Sequence, residues 1–134
     1  MSDFKHVGPP VSELMHQRFC RVDGLTLVDQ AIGLLKDQDA VALLIEKRDR
    51  DDEHGLVILA DIVSLVLAED RAPERVNLFE IMTKPALCVR ADMHALYCAR
   101  LLRRFGLQLA LVQAGDGDII GIIDQRALVL GWQR

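Results

Sequence analysis

Aromatic side chains are scarce here, with one Trp, one Tyr and four Phe in 134 residues. A core built on stacked rings is therefore excluded, and the 51% of hydrophobic residues must pack as Leu, Ile, Val and Ala. Excess positive charge is also missing: 16 Lys and Arg stand against 20 Asp and Glu, a net −4. A phosphate-backbone footprint needs a basic face, so nucleic acid is not an expected partner. The three cysteines, Cys20, Cys88 and Cys98, form no CxxC pair and leave an odd count, which speaks against a disulfide framework. Small buried thiols in a reducing cytoplasm are the expectation. Long apolar runs are lacking too. The longest, residues 55–68, is broken by Asp61 and falls short of the about 20 residues a membrane span takes. Residues 1–10 are polar, so no leader peptide is expected.

Catalytic and metal patterns are missing as well. The serines Ser2, Ser12 and Ser64 sit in no Gly-x-Ser-x-Gly elbow, and the four histidines show no HxxxH or HExxH spacing. No glycine-rich phosphate loop is present. The run Asp49-Arg-Asp-Asp-Glu-His54 alternates acids, but Gly55 arrives one place late for a calcium loop, so the run reads as a solvated hairpin. Neither an enzyme nor a metal protein is expected.

What the chain does have is a duplication. Val11-Ser-Glu-Leu-Met15 recurs as Leu78-Phe-Glu-Ile-Met82. Each is followed by a short apolar strand, Cys20-Arg-Val22 or Leu87-Cys-Val89, and then by an amphipathic helix. Leu27, Ala31, Leu34 and Leu35 make one helix face, and Leu96, Ala99, Leu102 and Phe105 the other. Thr26 with Asp29, Asp92, and Asn77 with Glu80 read as N-terminal caps, and Gly106 as a left-handed C-terminal stop. Second and third strands follow at residues 41–45 and 55–58, and again at 109–112 and 121–123. Final helices are expected over 61–68 and 125–130. The order is β-α-β-β-α twice, over residues 11–69 and 76–131. Neither copy is large enough to fold alone, so an α/β (α+β) module of two copies packed about a pseudo-twofold axis is expected.

This order of elements resembles the cystathionine-β-synthase (CBS) domain pair. The resemblance rests on Glu80-Ile-Met-Thr-Lys-Pro85 before a Val strand, the Leu96/Ala99/Leu102 helix, and Gly55-Leu-Val-Ile-Leu-Ala-Asp61-Ile-Val63. It covers residues 11–131 and leaves no room for a second domain, so the pair is expected to stand alone. It implies a regulatory, energy-sensing type of module. Such a module binds an adenosine-containing ligand (AMP, ADP, ATP, NAD or S-adenosylmethionine) in the cleft between copies, dimerises with itself and signals to a partner protein as yet unknown. The alternative is a ligand-free dimerisation or interaction module with degenerate clefts.

The family's ligand pattern is Gly, two apolar residues, Ser or Thr, two variable residues, then Asp. Asp61 fits the ribose-binding place, while Ile58 stands where the hydroxyl belongs. The second copy has Asp124 at the hydroxyl place and Ala127 at the ribose place. Asp124 there reads either as a plain helix cap or as a group that would repel phosphate. Thr83-Lys84-Pro85 looks like the adenine-side loop, and Lys84 and Arg126 could face phosphate. The matching loop of the first copy, His16-Gln-Arg-Phe-Cys20, is bulkier. One working half-site, around Asp61 and Thr83 to Pro85, is the expectation.

Overall fold

The computed structural model describes residues 6–133; Ser2 and Arg134 lie outside them, as do residues 1–5 in general. The elements are β1 (Phe19–Val22), α1 (Val28–Asp37), β2 (Ala42–Ile45), β3 (Gly55–Ile58), α2 (Leu59–Ile62), β4 (Cys88–Arg90), α3 (Ala95–Phe105), β5 (Leu109–Gln113), β6 (Ile119–Asp124) and α4 (Gln125–Gly131). They build two three-stranded sheets, β1-β2-β3 and β4-β5-β6, a mixed α+β arrangement. In each sheet the first two strands are parallel and the third returns antiparallel. That is the pairing a β-α-β-β order dictates, because a parallel pair needs a helical crossover and an antiparallel pair needs only a hairpin.

The chain divides into two compact units, Arg18–Ala86 and the remainder, of which residues 6–17 and 87–133 are described. The sequence repeats and the compact units thus differ in one respect. The helical turn that precedes each copy packs into the body of the other. Val11 belongs to the core of Val89, Cys98, Ala110 and Ile123, and its N–H donates to Met93 O at 2.7 Å. Leu78 and Ile81 belong to the core of Val28, Ala31, Leu43 and Val57, and the Leu78 N–H donates to Thr26 O at 2.9 Å. The central strands β2 and β5 are buried along nearly their whole length, as strands covered on both faces must be.

Several local expectations shift. Helix α1 begins at Val28, and Gln30 rather than Asp29 closes it, its Oε1 accepting from Leu27 N–H at 3.1 Å. Thr26 instead lies in the preceding turn, its N–H donating to Asp23 O. Asp92 does not cap α3; it pairs with Arg90, and His94 takes the N-cap position with Nδ1 2.6 Å from Gly8 O. The buried face of α3 is Ala95, Cys98 and Leu102, while Phe105 is exposed, so the helix is rotated from the Leu96–Phe105 expectation. Glu80 reaches back to Asn77 N–H as expected, but the Asn77 amide donates to Leu25 O. Gly106 closes α3 at φ +64°, as its position implied. Helix α2 starts two residues before Asp61 and continues as a π-helical turn over Val63–Leu67, with Ala68 N–H bonding Val63 O at 2.8 Å. Among the described residues no helix is long and apolar enough to cross a membrane.

Among the described residues no cysteine forms a disulfide. Burial pushes the Cys98 thiol up to about 11 and raises that of Cys20, whose Sγ donates to Gln38 Oε1 at 3.3 Å.

Candidate ligand site

In the Arg18–Ala86 unit, Thr83 joins the edge of β3. Its N–H donates to Leu56 O at 2.9 Å and its carbonyl accepts from Leu56 N–H at 3.0 Å. Three residues further on, past the cis Lys84–Pro85 bond, Ala86 N–H reaches His54 O. This pairing carries Lys84 to the hairpin end of β3. There a cavity of ≈ 330 Å³ opens, lined by Gly24, Leu25, Ile45, Phe79 and Met82 together with Asp23, Glu46, Arg48 and Lys84. Its volume lies at the small end of the range of about 300–1,000 Å³ typical of small-molecule sites, and an apolar floor with a few charged groups is their usual make-up.

Most of the charged hairpin beside this cavity is exposed, as a solvated hairpin should be, but one residue departs from that reading. Asp52 is its hub, with a side chain only 8% exposed. Lys84 Nζ lies 2.5 Å from its Oδ1, while Arg48 donates to its Oδ2 from the backbone at 2.9 Å and from Nε at 3.2 Å. Hydrogen bonding to Lys84 is the largest of several effects that hold the Asp52 carboxyl well below the usual carboxylate range; the backbone N–H of Arg48 follows. Asp49 organises the turn from the other side, its Oδ1 accepting from Asp51 N–H at 2.9 Å. Neither Asp52 nor Arg48 stood out in the sequence, where a run of mixed charge between two strands reads as surface. The one available signal was the acid count of residues 49–53, which offered a partner for Lys84.

Asp61 lies at the opposite end of β3 and does not line the cavity. Its Oδ2 accepts from Ile58 N–H at 2.9 Å, across the first turn of α2. In the other unit, Asp124 occupies the N-cap of α4, with Oδ1 accepting from Ala127 N–H at 2.8 Å. A complete Ser/Thr-x-x-acid cap would make both bonds at once. Each copy here keeps the opposite half: Asp61 at the third helical position in one, Asp124 at the cap in the other.

His16 stands in the 6–17/87–133 unit where Thr83 stands in the other, bridging Ile122 as Thr83 bridges Leu56. Its Nε2 is 2.7 Å from Asp124 Oδ2, both side chains being largely buried. Both Asp124 oxygens are thereby engaged from within the protein. Arg126 is exposed at the start of α4. The structure thus brings Lys84 to the cavity while Thr83 pairs with Leu56 on β3, sets Asp61 at the far end of the same strand, and ties Asp124 to His16. Among the described residues no group of three or more His, Cys, Asp or Glu is placed to hold a metal ion.

The family model described as CBS domain matches residues 78–131. The hexameric CBS-CP12 protein from bloom-forming cyanobacteria superposes with a TM-score of 0.85 at 30% identity, covering 90% of this chain and 69% of that one. A CBS domain protein from Pyrobaculum aerophilum, complexed with AMP, gives a TM-score of 0.76 at 15% identity, over 92% of this chain and 97% of that one. An uncharacterised protein of Methanopyrus kandleri is 21% identical over 92 residues, 69% of this chain and 47% of its own length. The chain thus spans about half the length of that curated relative.

Proposed function

We propose that this chain, which belongs to the CBS-domain family and is a regulatory module, binds an adenosine-containing ligand on its Arg18–Ala86 unit and passes that occupancy to a partner protein. The observation that carries this reading is the cavity at the hairpin end of β3, where Lys84, of the Thr83-Lys84-Pro85 segment, meets an apolar floor of Ile45, Phe79 and Met82. An adenine ring has apolar faces and a polar edge, and suits such a floor. A ligand seated there and running along β3 toward α2 would bring its ribose to Asp61. That carboxylate holds one N–H of its own helix and has about four acceptor sites, which leaves room for two ribose hydroxyls. The Pyrobaculum aerophilum protein complexed with AMP supports the ligand class. Regulation requires that the ligand bind two states of the module unequally.

The second unit favours a different role. With the His16–Asp124 pair in place of a hydroxyl and Ala127 in place of the ribose acid, it acts as a structural and interaction half. Exposed apolar residues on the final helices, among them Val63, Leu67, Val129 and Leu130, suit homodimerisation. A cytoplasmic, energy-sensing setting fits a ligand of this class.

A thermal-shift panel of adenosine, AMP, ADP, ATP, NAD and S-adenosylmethionine tests the ligand reading. A ligand at about 100 times its Kd stabilises by roughly 2.7 kcal/mol, which moves the melting temperature by several degrees. Asp61→Ala is expected to abolish the shift. A panel in which nothing shifts overturns the ligand reading in favour of a ligand-free interaction module, and a shift that survives Asp61→Ala removes Asp61 from the site.

A further inference from the structure

We propose that the homodimer pairs unlike faces: an apolar ridge on the Arg18–Ala86 unit of one copy seats in a groove on the 6–17/87–133 unit of the other. This rests on the homodimer reading above and specifies its contact. Helix α2 and the π-helical turn after it carry Leu59, Val63 and Leu67 at four-residue steps, all exposed, while Ile62 and Val66 are buried. A four-residue step slightly overshoots one revolution of an α-helix and falls short of one in the wider π turn. The three side chains therefore run nearly in line and form a ridge. Helix packing sets ridges into grooves. The other unit holds the groove, the opening of ≈ 660 Å³ between α3 and α4 with Leu102, Leu107 and Leu128 in its lining and Arg103 beside them.

Charge selects this pairing over the meeting of like faces. Helix α3 carries Arg100, Arg103 and Arg104 and no acid, and α4 adds Arg126. All four are exposed, and among the described residues none is in an ion pair. Arg100 and Arg103 are three apart and so neighbours on the helix surface. The ridge, by contrast, ends in Glu69 and Asp70, exposed and likewise in no ion pair among the described residues. Acids at that end add to the negative pole of their own helix, an unfavourable place unless a cation faces them. The arginines of the groove supply such cations. Two grooves face to face would bring arginines together, and two ridges would bring carboxylates together. Ridge on groove joins opposite charges around a desolvated apolar centre. In a two-fold dimer that contact is made twice, once in each direction.

Sedimentation of the full chain at micromolar concentration tests this with two variants. Arg100→Glu with Arg103→Glu makes the groove acidic. Glu69→Arg with Asp70→Asn makes the ridge basic, asparagine being chosen because residue 70 has φ +53° and Asn tolerates the left-handed conformation. All four positions are exposed, so the cores stay intact. Each variant alone is expected to dimerise at least about tenfold more weakly than wild type. An equal mixture of the two is expected to recover to within about threefold of wild type, because both contacts of the mixed dimer then join opposite charges. The gap between each variant and wild type should narrow at about 1 M salt, where charges are screened over about 3 Å. Either variant dimerising as tightly as wild type, or a mixture no tighter than its components, overturns the pairing of unlike faces. A monomeric wild type overturns the homodimer reading itself.

Discussion

The sulfur of Met82 stands 2.7 Å from where a Cβ on Gly55 would sit, and the sulfur of Met15 stands at the same 2.7 Å from a Cβ on Gly121. The glycine at the start of β3 and its counterpart within β6 are therefore each required by the methionine just after the exchanged helical turn, which packs on the strand backbone. The repeat Glu-x-Met and the repeat Gly are two sides of one contact, made once in each unit.

Alanine at either glycine is expected to destabilise by about 1–3 kcal/mol, the usual cost of overpacking. The two positions differ. Sδ is the closest atom at both; at Gly55 Ile45 Cβ follows at 3.2 Å and Met82 Cγ at 3.4 Å, whereas at Gly121 the next atoms are the Cγ and Cβ of the same Met15, at 3.0 and 3.2 Å, so the whole side chain would have to shift. Gly121→Ala should therefore cost more than Gly55→Ala in urea unfolding, and adding Met15→Ala to Gly121→Ala should recover part of the loss. Equal costs, or strict additivity of the pair, would show that the methionines move away freely.

The divided cap makes a second prediction. Asp124 accepts from Ala127 N–H and also holds His16, whereas Asp61, among the described residues, accepts from Ile58 N–H alone. Loss of an N-cap acceptor costs about 0.5–2 kcal/mol. Asp124→Ala should fall at or above the top of that range because it also strands the largely buried His16 ring, and Asp61→Ala near the bottom. A double-mutant cycle between His16 and Asp124 should give a coupling of at least about 0.5 kcal/mol. A cycle that closes to zero would mean the 2.7 Å contact contributes nothing to stability.

The fold was legible in the sequence because hydrophobic periodicity and duplication reinforce one another: an ambiguous apolar run such as Gly55–Ile58 is resolved by its counterpart in the second copy. Caps were misjudged by a residue or two at Thr26 and Asp92, since several polar residues cluster before each helix and only backbone geometry selects among them. The face of α3 was rotated because Leu96 and Phe105 outrank Ala95 and Cys98 in hydrophobicity, yet small residues are what a helix needs where it lies closest to a sheet. The Asp52 hub was legible only as a count of acids over residues 49–53. Its partner Lys84 is distant in sequence, and charge in a hairpin gives no sign of burial until the Thr83–Leu56 pairing lays one segment against the other.

That hub gives a pH dependence. An aspartate whose carboxyl is held below its ordinary value stabilises the fold above the unfolded-chain pKa of about 3.9, and the contribution is lost as pH falls below that value toward the folded one. Wild type should therefore melt higher than Asp52→Asn at pH 6, and the gap should narrow steadily between about pH 4 and pH 2. A gap that stays constant across this range would assign the stabilisation to shape and hydrogen bonding instead of charge.

Self-association is the remaining prediction. Val63, Leu65 and Leu67, on the π-helical turn after α2, are 55%, 42% and 55% exposed, and Val129 and Leu130 on α4 are 70% and 54% exposed. Beside Val129, α3 and α4 enclose an open groove of ≈ 660 Å³ lined by Leu102, Leu107 and Leu128. Apolar groups concentrated this way on helix faces mark surfaces that are covered in the working protein. A second copy is the partner proposed here, so the wild type should sediment at twice the chain mass at micromolar concentration. Leu67→Glu combined with Val129→Glu should return it to the monomer, because each new carboxylate would have to be desolvated against apolar side chains of the other copy. A monomeric wild type at tens of micromolar refutes the homodimer, and a variant that still dimerises places the interface on another face.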